Sequence, residues 1–328
     1  MYNKSLAFGA TLFAAATVSP ALAQSDIEAP KPVMSAASQV GGSLYVTYVA
    51  AWIQALSEQF PDLSITQEPG GSSQNVILVS TGQTDFGITA SSQAYLGYYG
   101  QGWADGQQYQ NFVGLHPAYP TYMTAVTLSG SGIQSFEDLQ GKNLAVGVPG
   151  GGSDVISREL MAHMGIEPAS FVNASWEDTG GLIRDGLADA VLYIAGHPAG
   201  FLQELEVSQE LSFLELSDEQ IASFLEAHPY YAPVSLAAGT YEALDSEFKT
   251  VGQMNFMIGS PDLPDDFVTA LLDGVYERTD ALARTHPDFA QTILENVRGI
   301  PIPLHPAARR YHQEKGVEIR EAAPPSVD

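Results

Sequence analysis

Short apolar runs alternate with longer amphipathic stretches along most of the chain. Residues 33–36 and 63–67 read as strands, and each is followed by a Gly/Ser turn and a helical pattern, the first over 44–60 and the second ending near 79. Residues 85–89 form a third strand. The plan recurs downstream, with strands over 143–148, 171–173 and 190–194 and helical segments over 154–164, 182–187 and 198–205. Helical patterns over 265–283, 287–297 and 306–316 complete the chain. Repeated strand–loop–helix units predict an α/β fold whose sheets are mostly parallel and flanked by helices. Residues 122–128 and 250–258 stand apart, each beside a shift between sheet units, and read as strands crossing between two lobes. The expected organisation is a discontinuous lobe one, 32–125 plus 246–328, and a lobe two over 126–245.

The first residues read as an address. Lys4 is the only charged residue before Asp26, residues 6–18 are apolar, and Ala21-Leu22-Ala23 fits the small-x-small cleavage pattern. This predicts a signal peptide over 1–23, a polar leader over 24–31 and export to the periplasm. The apolar run is short for a bilayer span of ~20 residues, and Pro20 ends it.

Composition narrows the function. The 328 residues include 38 acidic and 13 basic ones, a net charge of -25. That balance argues against nucleic acid, whose binding needs basic surface, and against direct binding of anionic lipid. Cysteine is absent. Disulfides, thiolate catalysis and Cys-ligated zinc or iron–sulfur sites are excluded, and the chain suits an oxidising compartment.

Three glycine-rich loops each precede a helix: Gly41-Gly42-Ser43, Gly70-Gly71-Ser72-Ser73 and Gly150-Gly151-Gly152-Ser153. Glycine admits a ligand close to the backbone, serine caps the helix, and helix-start N–H groups favour anions. Such loops at the carboxyl ends of parallel strands lie where α/β proteins bind ligands. None is a P-loop or a dinucleotide fingerprint. Ordinary turn and cap chemistry is the competing account of each loop.

Catalysis has little support. The seven histidines include no HExxH and no i, i+4 pair, and His116, His197, His228, His286 and His305 all precede proline. His197 alone follows a strand through Ala195-Gly196, at an expected cleft tip. Ser246-Glu247-Phe248-Lys249 matches S-x-x-K without its partner motifs. No G-x-S-x-G occurs. The chain is expected to be no enzyme and to need no cofactor or metal.

Several segments resemble one family in order. Gly41-Gly42-Ser43-Leu44-Tyr45 stands where that family has Gly-Gly-Thr-Tyr-Tyr, and Gly71-Ser72-Ser73-Gln74-Asn75 resembles its GSxxN segment. The stretch 81–87, TGQTDFG, is similar to its strand entry, and 132–142, GIQSFEDLQGK, to a GIxSxxDLxGK stretch. Asp185-Gly186-Leu187-Ala188-Asp189-Ala190 resembles DGxxDA, and 304–316 resembles the C-terminal LHPGAxxYxxExG. The chain thus resembles the TAXI family, solute receptors of one class of TRAP transporter, over about residues 32–318. Ser43-Leu44 in place of Thr-Tyr, and Ala307 in place of Gly, depart from the pattern.

The resemblance implies a two-lobed periplasmic binding protein, type II-like, that captures a small solute and delivers it to an integral-membrane TRAP permease. Expected solutes are carboxylates such as glutamate or a dicarboxylate. Expected contacts are Ser43, Ser72 and Ser153 at helix starts, Asn75 as donor and acceptor, Ser91 and Gln93 after the third strand, Tyr45 and Tyr119 near loop tips, and His197 from the second lobe. A periplasmic sensory module and a secreted hydrolase on the same scaffold are the alternatives.

Overall fold

A computed structural model of the chain describes residues 27–39, 43–319, 321, 322 and 324. The expected signal peptide, the start of the leader and Gly41-Gly42 of the first loop lie outside the described residues. The first units are β1 (Val33–Ala37), α1 (Leu44–Gln59), β2 (Ser64–Glu68), α2 (Ser72–Ser80), β3 (Phe86–Ala90) and α3 (Ser91–Tyr99), followed by the long strand β4 (Val113–Leu128). Next come β5 (Asn143–Ala145), α4 (Gly152–Met164), β6 (Ser170–Val172), α5 (Trp176–Arg184), β7 (Ala190–Ala195) and α6 (Gly200–Glu206). Then β8 (Leu211–Leu214), α7 (Asp218–Ala227), β9 (Ala232–Leu236) and the second long strand β10 (Phe248–Gly259) lead to α8 (Asp265–Tyr276), α9 (Thr279–Thr285) and α10 (Pro306–Glu314).

The strands form one mixed sheet in the order β2-β1-β3-β10-β4-β7-β5-β6, with β8 added on β4 and β9 on β10. The outer strands pair in parallel, as the strand–helix repeats predict. The two long strands pair antiparallel with each other and with their neighbours. β4 lies against β10 through residues 113–122 and against β7 through 122–126. The expected strands at 122–128 and 250–258 are thus the last part of β4 and most of β10.

β4 carries Pro117 and Pro120, and proline cannot donate to a sheet ladder. The register of β4 against β10 shifts twice, between Asn255 and Phe256 and between Met257 and Ile258. Such bulges absorb the lost bonds and re-aim side chains.

Burial on α1 follows the helical period: Tyr45, Tyr48, Val49, Trp52, Ala55, Leu56 and Gln59 face the core. Trp52 is fully buried, and its indole N–H donates to His116 Nε2 at 2.9 Å. Burial holds His116 neutral, its pKa lowered to about 4. This core packs β1, β3 and the outer part of β4 against α1, α8 and α9. Separate apolar clusters lie around β5 and β7.

Three expected helices differ in extent. The pattern over 265–283 is broken into α8 and α9 at Arg278, whose buried guanidinium bonds Gly274 O, Gln59 and Glu58. Residues 287–297 form two 3-10 segments, Pro287–Gln291 and Leu294–Gly299, because buried Thr292 between them donates to Ala118 O. α5 begins earlier than 182, where Ser175 accepts from Asp178 N. Residues 206–247, for which the pattern predicts no element, hold β8, α7 and β9.

Gly252 sits where β10 meets both β4 and β9. A Cβ there would lie 2.1 Å from Thr121 O and 2.7 Å from Val234. Gly252→Ala is therefore expected to force the strands apart and cost about 2 kcal/mol or more, read as a lowered melting temperature and denaturant midpoint.

Candidate functional site

A cleft of about 770 Å³ opens against the β4–β10 pair, within the usual range for small-molecule sites. Its floor is Tyr119 and Thr121 from β4 and Gln253 and Asn255 from β10. Because strand side chains alternate, Gln253 and Asn255 face the cleft while Met254 and Phe256 join an apolar cluster behind the sheet.

One wall is made of helix starts. Ser43 and Tyr45 come from α1, Gly71, Ser72 and Ser73 from α2, and Ala90, Ser92 and Gln93 from α3. The opposite wall combines Gly150, Gly152 and Val155 at the start of α4, Trp176 at the start of α5, and residues 193–196 at the end of β7. Among the described residues lining the cleft none has an ionisable acidic or basic side chain.

Hydrogen bonds hold the polar wall in place. Ser72 Oγ lies 2.7 Å from Tyr45 Oη, and Tyr45 donates to Asn255 Oδ1 at 2.7 Å. Asn255 Nδ2 donates to Tyr119 O, and Ala90 N donates to Ser72 Oγ. Ser92 donates to Gln253 Oε1 at 2.6 Å. These bonds join three helix starts to the floor. Burial raises the phenol pKa of Tyr45 and of Tyr119, so both remain protonated donors at neutral pH.

Of the nine expected contacts, Ser43, Tyr45, Ser72, Gln93 and Tyr119 line the cleft. The other four stand behind its walls. Asn75 is fully buried: its Oδ1 accepts from Gly71 N, and its Nδ2 donates to Ser38 O and Ile88 O. Ser91 donates to Tyr230 O at 2.6 Å. Ser153 Oγ accepts from Ile194 N at 2.9 Å, tying α4 to the end of β7. His197 is buried beside Tyr241, whose hydroxyl accepts from Ala199 N and faces His197 Nδ1 at 2.6 Å. Asn75 and Ser153 thus accept from the backbone of cleft-lining Gly71 and Ile194, whereas Ser91 and His197 bond residues off the lining.

Sequence reasoning missed Thr121, Trp176, Tyr193, Gln253 and Asn255. The alternating polar residues of β10 carried a signal. So did Ser175-x-x-Asp178, which marks the start of α5.

The helix starts differ electrically. α1, α2 and α3 have no acidic residue in the first turn, and α2 and α3 have no side-chain cap. The start of α4 is occupied by Asp154, which accepts from Gly150 N at 2.9 Å and pairs with Arg158. α5 carries Glu177 and Asp178 in its first turn. Asp288 lies just behind the second wall: a Cβ on Gly196 would be 2.1 Å from its Oδ2, which is buried with no hydrogen-bond partner among the described residues.

The fold and cleft place the chain in a structural class. It shares its fold with a TctC solute binding protein from Polaromonas, with a TM-score of 0.55 and 12% identity, covering 77% of this chain and 88% of that one. It is also similar to the periplasmic aliphatic sulphonate binding protein SsuA of Escherichia coli, at 13% identity and a TM-score of 0.47, covering 86% of this chain and 82% of that one. The chain belongs to the NMT1-like family, whose model matches residues 35–316. Among the described residues no helix is long and apolar enough to cross a membrane.

Burial pushes Asp288 up to about 6, partly offset by His286. The native state therefore keeps its proton to about pH 6, whereas the unfolded chain releases it near 3.8. Stability from this group is lost as pH rises from about 4 to about 6. Asp288→Asn, which stays neutral, is expected to stabilise the protein at pH 8 by about 1–2 kcal/mol and to give no gain near pH 4. Paired melting curves at the two pH values check this. The buried neutral His116 and His197 act in the opposite sense but cancel in the comparison.

Proposed function

We propose that the chain is an exported solute receptor that holds a small carboxylate in the cleft and presents it to a TRAP-type membrane permease. Support comes from the fold, from membership of the NMT1-like family, and from the ordered resemblance of residues 32–318 to TAXI receptors. In this reading residues 32–125 with 246–328 and residues 126–245 act as two lobes. They close about β4 and β10, and the solute shifts that equilibrium by binding the closed form better.

One observation carries the ligand class. Three helix starts free of acidic residues face a single cleft whose described lining holds no Asp, Glu, Lys, Arg or His. Helix starts carry partial positive charge and free N–H donors. A carboxylate on these amides is held by short-range bonds, while the field of distant surface acids is screened over ~8 Å. Ser43, Tyr45, Ser72, Gln93 and Tyr119 would touch the solute, and Asn75, Ser91, Ser153 and His197 would hold the walls.

A ligand at ~1,000 times its Kd adds about 4 kcal/mol of stability. Matched carboxylate and amide pairs, such as benzoate with benzamide and succinate with succinamide, are screened by melting on refolded mature protein. The expected result is a rise of several degrees with a carboxylate and none with its amide. Ser73→Asp places a carboxylate in the first turn of α2. It is expected to leave the unliganded protein as stable or slightly more so, while abolishing the carboxylate-induced rise. A rise with amides alone, or an unaffected variant, would sink the anion reading.

A further inference from the structure

The two walls of the cleft are opposites in polarity, and this narrows the solute beyond "a carboxylate". The argument rests on the receptor reading above. The wall built from α1, α2 and α3 is mostly polar, with Leu44 and Ala90 as its apolar members, and its first turns hold no acidic residue. The facing wall presents Val155, Trp176, Tyr193 and Ile194. Trp176 is stacked on Phe201 at 5.3 Å and meets Tyr193 edge-on at 4.7 Å. Its ring lies against Gly147, where a Cβ would approach to 2.4 Å, so that glycine gives the indole its seat. Aromatic faces held this way favour a flat apolar partner.

The same wall resists a second anion from three directions. Asp154 already occupies the start of α4, Glu177 and Asp178 sit in the first turn of α5, and the Asp288 carboxyl stands behind Gly196. Arg158 is paired with Asp154 and stacked on Phe171, so it is not free for a second carboxylate. A second carboxylate at this end would lose water and meet like charge.

The geometry points to a monocarboxylate with an aromatic or similarly flat apolar body, its carboxylate on the α1–α3 starts and its ring against Trp176 and Tyr193. The polar wall reads the anion, and the far wall selects against dicarboxylates. Glutamate and the dicarboxylates expected from the family resemblance are disfavoured by that far wall.

The test is calorimetric titration of the refolded mature protein with four probes: phenylacetate, benzoate, glutarate and phenylacetamide. Phenylacetate or benzoate is expected to bind at least tenfold tighter than glutarate and than phenylacetamide. Val155 is partly exposed on the second wall, so Val155→Lys adds a cation there with little effect on the core. It is expected to narrow the preference over glutarate at least tenfold. Trp176→Leu keeps an apolar wall without the ring and is expected to weaken both ring acids at least tenfold. Glutarate binding as tightly as the ring acids would overturn this inference and leave the carboxylate receptor standing. Phenylacetamide binding as tightly as phenylacetate would overturn the carboxylate reading as well. Binding of none of the four would overturn the ring-bearing class, because its two simplest members are in the set.

Discussion

β4 and β10 run antiparallel through the middle of the sheet, and the remaining elements take their places from that pairing. β3 is added on the far side of β10 and β7 on the far side of β4, so each parallel half-sheet lies beside one of the two long strands. The pairing is irregular where it matters. Two register shifts bracket Phe256 and Met257, which face Pro117 and His116; the first shift directly follows Asn255, and Gly252 lets the strands approach at the next junction. All four floor residues of the cleft come from this pair. The cleft is thus a consequence of how two strands cross rather than of any single loop.

The proposed anion site on a chain of net charge -25 looks contradictory until range is considered. Surface acids act at distance through water and salt, whereas a backbone amide acts at hydrogen-bond length in a partly dry cleft. The sequence keeps acidic residues out of the first turns of α1, α2 and α3 and places them in those of α4 and α5. Local placement therefore gives the cleft a direction that overall charge does not describe.

Much of the fold was legible because periodicity reports burial. The buried positions of α1, and the strands on either side of it, follow directly from the alternation of apolar and polar residues. The outer half of β4 was hidden because two prolines argue against a central strand, and only the register against β10 shows that β4 takes up irregularity in its own bulges at Ala118 and Leu115. α7 was missed although Ser217 and Gln220 form a complete capping box. Ser43, Gly71, Ser72, Ser73, Gly150 and Gly152 from the glycine-rich loops line the cleft, yet the direction of each side chain could not be read from spacing. Asn75 faces inward because Gly70 leaves room for its amide, and Ser153 turns to Ile194 N rather than to the cleft. Trp176 carried no apolar pattern of its own, since its ring is placed by Gly147, Phe201 and Tyr193 from distant parts of the chain.

The buried supports bear directly on how such a cleft could act. A helix-start amide is a useful donor only if it is already aimed, and here the aiming is done by Asn75, Ser72 and Tyr45, whose bonds tie α2 to β1, β3 and β10. The polar wall's own hydrogen bonds are thus made without a solute, an arrangement that lowers the ordering cost of binding. Neither wall is sufficient by itself. In the proposed reading the α1–α3 starts would hold a carboxylate but leave an apolar body in water, and the Trp176 wall would cover that body but offer nothing to its charge. A solute with both parts interacts fully only when the walls meet, and that difference in affinity is what a ligand needs to draw an open receptor closed.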